Sequence, residues 1–143
     1  MLGNAVDIVV TSPWGDTDVV VGAKLTRDLD ATTAQLRDYM RLIGAPVGLI
    51  VGRNTIRLLR EMYHGDPSIK VIGEFPIGLA RGLVPSNDPV EYEDHVQQWL
   101  ESFQDGQEIA DEPLRSALRE HVVPAIENGT VRAAGPRGQR AAH

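Results

Sequence analysis

The chain of 143 residues contains no cysteine. This absence excludes a disulfide scaffold and any metal site with thiolate ligands, and it fits a reducing cytoplasm. No apolar run approaches the roughly 18–20 residues that a membrane-spanning helix needs, so we expect no membrane partner. The opening residues, MLGNAVDIVV, lack the positively charged start and the cleavage signal of a secretory leader. A cytoplasmic protein is therefore expected.

Several motifs that would indicate a common enzyme class are also missing. The sequence has no phosphate-binding GxxxxGK[ST] loop, no GxGxxG dinucleotide motif and no GxSxG nucleophile motif. The histidines are too scattered for a zinc site; they are His64, His95, His121 and His143. The sequence therefore gives no support for nucleotide, dinucleotide or zinc chemistry.

The net charge of −6 is spread unevenly. Residues 1–60 hold seven basic and six acidic residues, whereas residues 61–128 hold four basic and fourteen acidic ones. Because neutralisation of phosphates supplies most non-specific affinity for DNA, so acidic a protein is a poor general DNA binder. Any contact with DNA would have to use the arginines of the first half: Arg27, Arg37, Arg41, Arg53, Arg57 and Arg60.

The first half of the chain predicts strands around one helix. Residues 6–11 and 18–23 are β-branched runs separated by turn-forming residues, which indicates an antiparallel hairpin. A helix is predicted from Asp28 or Asp30 to about Ile43, followed by a third strand over 47–52. Because the strands are apolar at consecutive positions, we expect burial on both faces, with a parallel crossover through the helix.

The second half is richer in acidic residues and helices. Residues 54–63 suit either a helix or a returning strand, and residues 69–75 favour a strand. Helices are predicted over 89–104 and 111–127, and the chain from 129 onward has the small, polar composition of a flexible tail.

Together these patterns predict an α/β fold, a small mixed sheet flanked by helices with a C-terminal helical extension. A single domain would cover residues 1–128. Its core would span 5–75 and its acidic helical part 89–127, with 129–143 as a flexible tail.

The residues that could carry chemistry follow one another in the first half. Asp7 stands at the start of the first strand, Lys24 ends the second, and Gln35 and Tyr39 lie four apart on the helix. Cleavage of a phosphodiester by a divalent metal needs carboxylates to hold the ion. A nearby lysine can position water and stabilise the developing negative charge.

The segment from Asp7 to about Gly52 resembles the core of the PD-(D/E)xK nuclease superfamily, which has the restriction-endonuclease-like fold. That family places an Asp at the start of one strand and Glu-x-Lys at the end of the next, followed by a helix and a further strand. Gln35 and Tyr39 resemble the Q-x-x-x-Y signature of RecB-type exonuclease domains and related type I restriction subunits.

The resemblance implies a DNA nuclease of restriction or repair that uses Mg²⁺. Asp7 would hold the metal and Lys24 would orient water, while Gln35 and Tyr39 would support the DNA or the lysine. In this chain, however, Gly22 stands where the family has its second acid.

Three explanations for Gly22 compete. The domain is an inactive relative, or an acid such as Asp18 or Asp16 has taken over, or an otherwise active protein has lost the residue. Asp18 lies four residues before Gly22, about 13 Å away along a strand, and Asp16 lies farther still. This distance favours the inactive alternative.

Each residue also has a plain structural interpretation. Asp7 and Lys24 would be polar residues at strand ends, and Gln35 with Tyr39 an ordinary pair on a helix face. The alternative function is then a non-catalytic interaction module, in which the acidic second half docks a basic partner or forms a homo-oligomer.

Overall fold

The computed structural model describes residues 5–135. They contain a six-stranded mixed sheet with helices on both faces, which confirms the expected α/β class. The strands are Ile8–Thr11 (β1), Thr17–Ala23 (β2), Val47–Val51 (β3), Thr55–Glu61 (β4), Ile69–Pro76 (β5) and Thr130–Ala133 (β6). The helices are Asp30–Ile43 (α1), Pro89–Glu101 (α2), Leu114–His121 (α3) and Val123–Asn128 (α4).

The strand order is β5-β4-β3-β2-β1-β6. β1 and β2 form the predicted antiparallel hairpin, and β3 lies parallel to β2 after the crossover through α1. The neighbouring pairs β3–β4, β4–β5 and β1–β6 are antiparallel. The carboxyl ends of β2 and β3 therefore lie side by side at one end of the sheet.

Helix α1 covers one face of the sheet. It ends because Gly44 adopts the left-handed conformation, with a φ of 74°, and donates its N–H to the carbonyl of Met40. Leu36 and Met40 are buried and belong to a core cluster with Val20 and other strand residues. This packing supplies most of the stability of such an amphipathic helix.

The opposite face is covered by α2, α3 and α4. Their buried residues join the larger core cluster, in which the rings of Trp99 and Phe103 meet edge to face at 5.4 Å. All residues of β1 and β3 are buried. The uninterrupted apolar strands are thus explained by burial on two sides. No helix within residues 5–135 is long and apolar enough to cross a membrane.

Of the two alternatives for residues 54–63, the structure has the returning strand, β4, which pairs antiparallel with β3. Two other details differ from the sequence-based expectations. The helix expected over 111–127 is two helices, α3 and α4, that meet at Val122 just before Pro124. Residues 130–133 of the expected tail form strand β6, which pairs with β1; residues 136–143 lie outside the described residues.

Candidate functional site

The hairpin brings Asp7 and Lys24 together. Asp7 immediately precedes β1 and Lys24 immediately follows β2, and the antiparallel register pairs Ile8 with Val21. Both residues therefore lie at the same end of the sheet. The ammonium Nζ of Lys24 is 3.0 Å from Oδ2 of Asp7 and 3.3 Å from Oδ1.

The Asp7 carboxylate is enclosed and has protein partners on both oxygens. The residue is only 2% exposed, and its Oδ2 also accepts the backbone N–H of Ala23 at 2.8 Å. The Lys24 side chain is about one-quarter exposed, with a relative accessibility of 24%. A buried carboxylate requires such charge-assisted bonds, because leaving it unpaired costs several kcal/mol. The pair thus ties the end of β2 to the start of β1.

Gly22 lies in the position at which the resemblance expects an acid. A Cβ atom added there would be 2.5 Å from the carbonyl oxygen of Ala5 and 3.8 Å from the methyl group of Thr32 on α1. Real Cβ atoms essentially never approach an oxygen so closely. The backbone before β1 therefore occupies the space that a side chain at position 22 would need, and glycine is required by this close approach.

Gln35 and Tyr39 lie on helix α1. Gln35 is exposed, and Tyr39 is half-buried against the core cluster beneath the helix. Within residues 5–135, no hydrogen bond joins either side chain to Asp7 or Lys24. The two helix residues are not part of the Asp7–Lys24 contact.

Asp16 and Asp18 lie at the opposite end of β2. They line a groove with Pro46 and Val47 at the start of β3, whereas Asp7 lies near the end of β2. Burial, and secondarily the charge of Asp16, raises the pKa of Asp18 above its ordinary value. Neither residue is placed to replace the acid missing at position 22.

The donor set does not fit a catalytic magnesium site. Magnesium binds near-octahedrally through hard oxygen ligands and keeps several waters. Here the carboxylate of Asp7 is buried and paired with Lys24, and its neighbour Gly22 has no side chain. In the part of the chain that the structure describes, no group of three or more His, Asp or Glu residues could hold a metal ion.

Most arginines considered for DNA contact are bound within the fold. Arg57 forms ion pairs with Asp30 at 3.1 Å and Glu74 at 2.6 Å. Three more of these arginines have a partner within the fold. Arg37 donates to the carbonyl of Ile69, Arg53 donates to the carbonyl of Leu25, and Arg41 forms an ion pair with Asp38. Arg57, which is held by two carboxylates, is therefore poorly available to phosphates.

A cavity that the sequence did not predict lies at the carboxyl ends of β2 and β3, on the face covered by α2. Its volume is about 540 Å³. The hydroxyl of Tyr92 donates to the carbonyl of Gly52 at 2.7 Å, and burial raises the pKa of Tyr92 to about 12, although Arg53 acts in the opposite direction. The only trace of this cavity in the sequence is the loop-rich stretch 76–89.

Two exposed aromatic residues mark a further surface. Trp14 is 85% exposed in the β1–β2 turn, and Tyr63 is 77% exposed after β4 with a left-handed φ of 62°. They border two neighbouring grooves that both include Arg60, Glu120 and His121. A non-glycine residue in this backbone region is uncommon and often belongs to a functional surface.

Comparison with known proteins gives no independent identification. No family model, no curated protein and no solved structure matches the chain. The function must therefore be inferred from the residues and contacts described above.

Proposed function

We propose that this chain is a nuclease-like domain related to DNA restriction or repair that does not itself cleave DNA. The observation that carries this proposal is the 3.0 Å contact between Asp7 and Lys24 at the shared end of β1 and β2. A crossover helix and a parallel third strand follow in the order that the PD-(D/E)xK resemblance implies. The absence of cysteine fits such a role in the cytoplasm.

The surroundings of Asp7 support a non-catalytic role. A metal would have to displace Lys24 from a carboxylate that is 2% exposed. The missing acid cannot simply be restored, because a side chain at Gly22 meets the carbonyl of Ala5. The site therefore lacks a second ligand and also the room for one.

In this proposal the Asp7–Lys24 pair acts as a structural tie. It joins the segment before β1 to the end of β2, and the N–H of Ala23 adds a second bond to the same carboxylate. A hydrogen-bonded, largely buried ion pair of this kind is costly to break from one side. In this proposal the role of the Asp7–Lys24 pair is to hold the fold together.

DNA cleavage by the purified protein is the direct test. We expect no cleavage of linear duplex or single-stranded DNA with Mg²⁺ or Mn²⁺. Metal-dependent cleavage that is lost in both Asp7→Asn and Lys24→Gln would contradict the proposal. Cleavage that persists unchanged in both variants would instead come from a contaminating nuclease.

A second candidate function, docking of a basic segment of a partner protein, is favoured by the exposed aromatic residues. The grooves beside Trp14 and Tyr63 contain Asp16, Asp18 and Glu120. A cation would relieve the repulsion that contributes to the raised pKa of Asp18, and it could also stack on an aromatic ring.

Trp14 is a convenient reporter for this second candidate. The other tryptophan, Trp99, is buried at 2% exposure, so a change in fluorescence on addition of an arginine-rich peptide would come mainly from Trp14. If the peptide docks at this surface, the Asp18→Asn variant should bind it more weakly than the wild type does at low salt. An unchanged affinity in that variant would exclude the grooves as the docking surface.

A further inference from the structure

We propose that the cavity at the carboxyl ends of β2 and β3 binds a small apolar molecule with one negative charge, such as a medium-chain carboxylate. This site is separate from the Asp7–Lys24 pair and does not depend on the nuclease-like function. The cavity has a volume of about 540 Å³, and its lining includes Leu25, Arg53, Ile77, Gly78, Leu83 and Tyr92. Such a volume lies within the range of small-molecule sites.

The position of the cavity is one that ligands favour in α/β proteins. Leu25 follows β2 and Arg53 follows β3, and these two strands are parallel neighbours. Crevices outside the carboxyl ends of parallel strands are the usual binding sites in open α/β sheets, because the connecting segments diverge there.

The walls of the cavity are mainly apolar. Leu25, Ile77 and Leu83 are only partly buried, although each packs against the large core cluster. They therefore offer apolar surface that a ligand could cover. Burial of such surface contributes about 25 cal/mol per Å², which favours a ligand with an apolar body.

Arg53 supplies the only formal charge in the lining. Its Nε donates to the carbonyl of Leu25 at 3.1 Å, which links the residues that follow the two strands. Within residues 5–135 its terminal nitrogens have no hydrogen-bond or ion-pair partner. A guanidinium held in this way is suited to a carboxylate, which it can bind through two parallel hydrogen bonds.

The remaining polar groups can complete the recognition of an anion. The Tyr92 hydroxyl already donates to Gly52, whereas the amide of Asn87 makes no hydrogen bond within the described residues. The Asn87 amide is therefore available as a second donor. A cation is disfavoured because it would face Arg53.

Three hydrogen bonds fix the segment that forms one wall of the cavity. The N–H of Ile77 donates to the carbonyl of Asn54 at 2.9 Å, and the ring of His95 on α2 bonds the carbonyl of Val84 at 2.9 Å. The carbonyl of Leu79 accepts the N–H of Asp111 at 2.8 Å. A preformed wall reduces the ordering cost of binding.

The test compares octanoate with its uncharged analogue octanamide by NMR titration of the full chain. We expect octanoate to bind at least about tenfold more tightly than octanamide, since hydrogen bonds to a charged group are the stronger ones. The shifts should centre on the signals of Leu25, Arg53 and Tyr92. Equal affinities, or shifts centred on Trp14, would overturn the proposal.

Two variants and a matched control locate the site. Arg53→Gln should weaken octanoate about tenfold and leave octanamide nearly unchanged. Gly78→Leu should weaken both, because an added Cβ there meets no atom within 4 Å and the side chain can extend into open space at the cavity. Arg27→Gln, at an exposed arginine outside the cavity lining, should change neither.

Thermal midpoints of the variants are measured first, because a misfolded variant would also fail to bind. Gly78→Ala provides the milder replacement if Gly78→Leu destabilises the fold. An Arg53→Gln variant that keeps full octanoate affinity would overturn the role of the arginine. A Gly78→Leu variant that binds both ligands normally would overturn the location.

Discussion

Two polar sites lie at the same end of the sheet and differ in how far the fold has closed them. On the α1 side, the Asp7 carboxylate is 2% exposed and bonded to Lys24 and to Ala23. On the α2 side, Arg53 lines a cavity of about 540 Å³, and within residues 5–135 only its Nε has a hydrogen-bond partner. We call the Asp7–Lys24 pair the closed site and the cavity beside Arg53 the open site. The residues that suggest catalysis thus form the closed site, whereas the space for a ligand is in the open site.

The two sites show that the type of a residue does not decide whether its side chain is available to a ligand. An acid and a lysine at a strand end are typical of metal-dependent chemistry, but a carboxylate with bonds to both oxygens is poorly available to a metal. An arginine after a strand is a weak sequence signal, yet its surroundings leave it exposed to a ligand.

The largest expected effect comes from breaking the closed site. Asp7→Ala removes the carboxylate that Lys24 and the N–H of Ala23 bond, and we expect a loss of about 2–4 kcal/mol in the free energy of unfolding. Arg53→Gln in the open site should change it by no more than about 0.5 kcal/mol. Urea denaturation measures the free energy of unfolding of both variants. Equal losses in Asp7→Ala and Arg53→Gln would contradict the contrast between the two sites.

The next effect concerns the glycine in the closed site. Gly22→Ala places a Cβ 2.5 Å from the carbonyl of Ala5, and we expect a loss of about 1–3 kcal/mol from overpacking. Gly78→Ala, in the lining of the open cavity, meets nothing within 4 Å and should stay within about 0.5 kcal/mol. Similar stabilities for the two variants would show that Ala5 moves aside at little cost.

A smaller effect is expected in the open site. Tyr92→Phe removes the hydroxyl that donates to the carbonyl of Gly52, and we expect a loss of about 1–2 kcal/mol at neutral pH. A loss larger than that of Asp7→Ala would reverse the ranking of the two sites.

Tyr92 also gives the open site a pH dependence. Burial raises its pKa from an ordinary value of about 10 to about 12 in the folded protein. The unfolded chain therefore loses this proton first, and stability should fall as the pH rises from about 10 to about 12. Unfolding curves recorded at alkaline pH measure this dependence of stability on pH. If stability falls equally steeply in Tyr92→Phe, other groups cause the fall.

The smallest effect lies outside both sites. Burial and the charge of Asp16 raise the pKa of Asp18, so the folded state disfavours its ionised form. Asp18→Asn should therefore increase stability by a few tenths of a kcal/mol at neutral pH, and this gain should vanish at acidic pH. A loss of stability would indicate that the Asp18 carboxylate is favourably paired.

Much of the fold was predictable because its signals are local. The β-branched runs gave β1 and β2, and the apolar spacing that ends at Gly44 gave α1. Strand β6 was missed because its few small and polar residues form a strand only by pairing with β1, a contact between distant parts of the chain. The composition of a short segment does not indicate such a contact.

The candidate site was predictable only in part, for the same reason. The hairpin pattern placed Asp7 and Lys24 at one end of the sheet, where they are in contact. The roles predicted for Gln35 and Tyr39 stay predictions. The crowding at Gly22 depends on where Ala5 lies, and the cavity beside Arg53 depends on a loop more than twenty residues later, so neither could be derived from spacing.

Calorimetric titration with Mn²⁺ of the wild-type protein and of Asp7→Asn tests most directly whether the closed site is structural. We predict no heat of binding and no shift of the thermal midpoint that depends on Asp7, because its oxygens are already bonded to Lys24 and Ala23. A metal that stabilises the wild type and fails to stabilise Asp7→Asn would contradict this account, since a ligand that binds only the folded state must raise its stability.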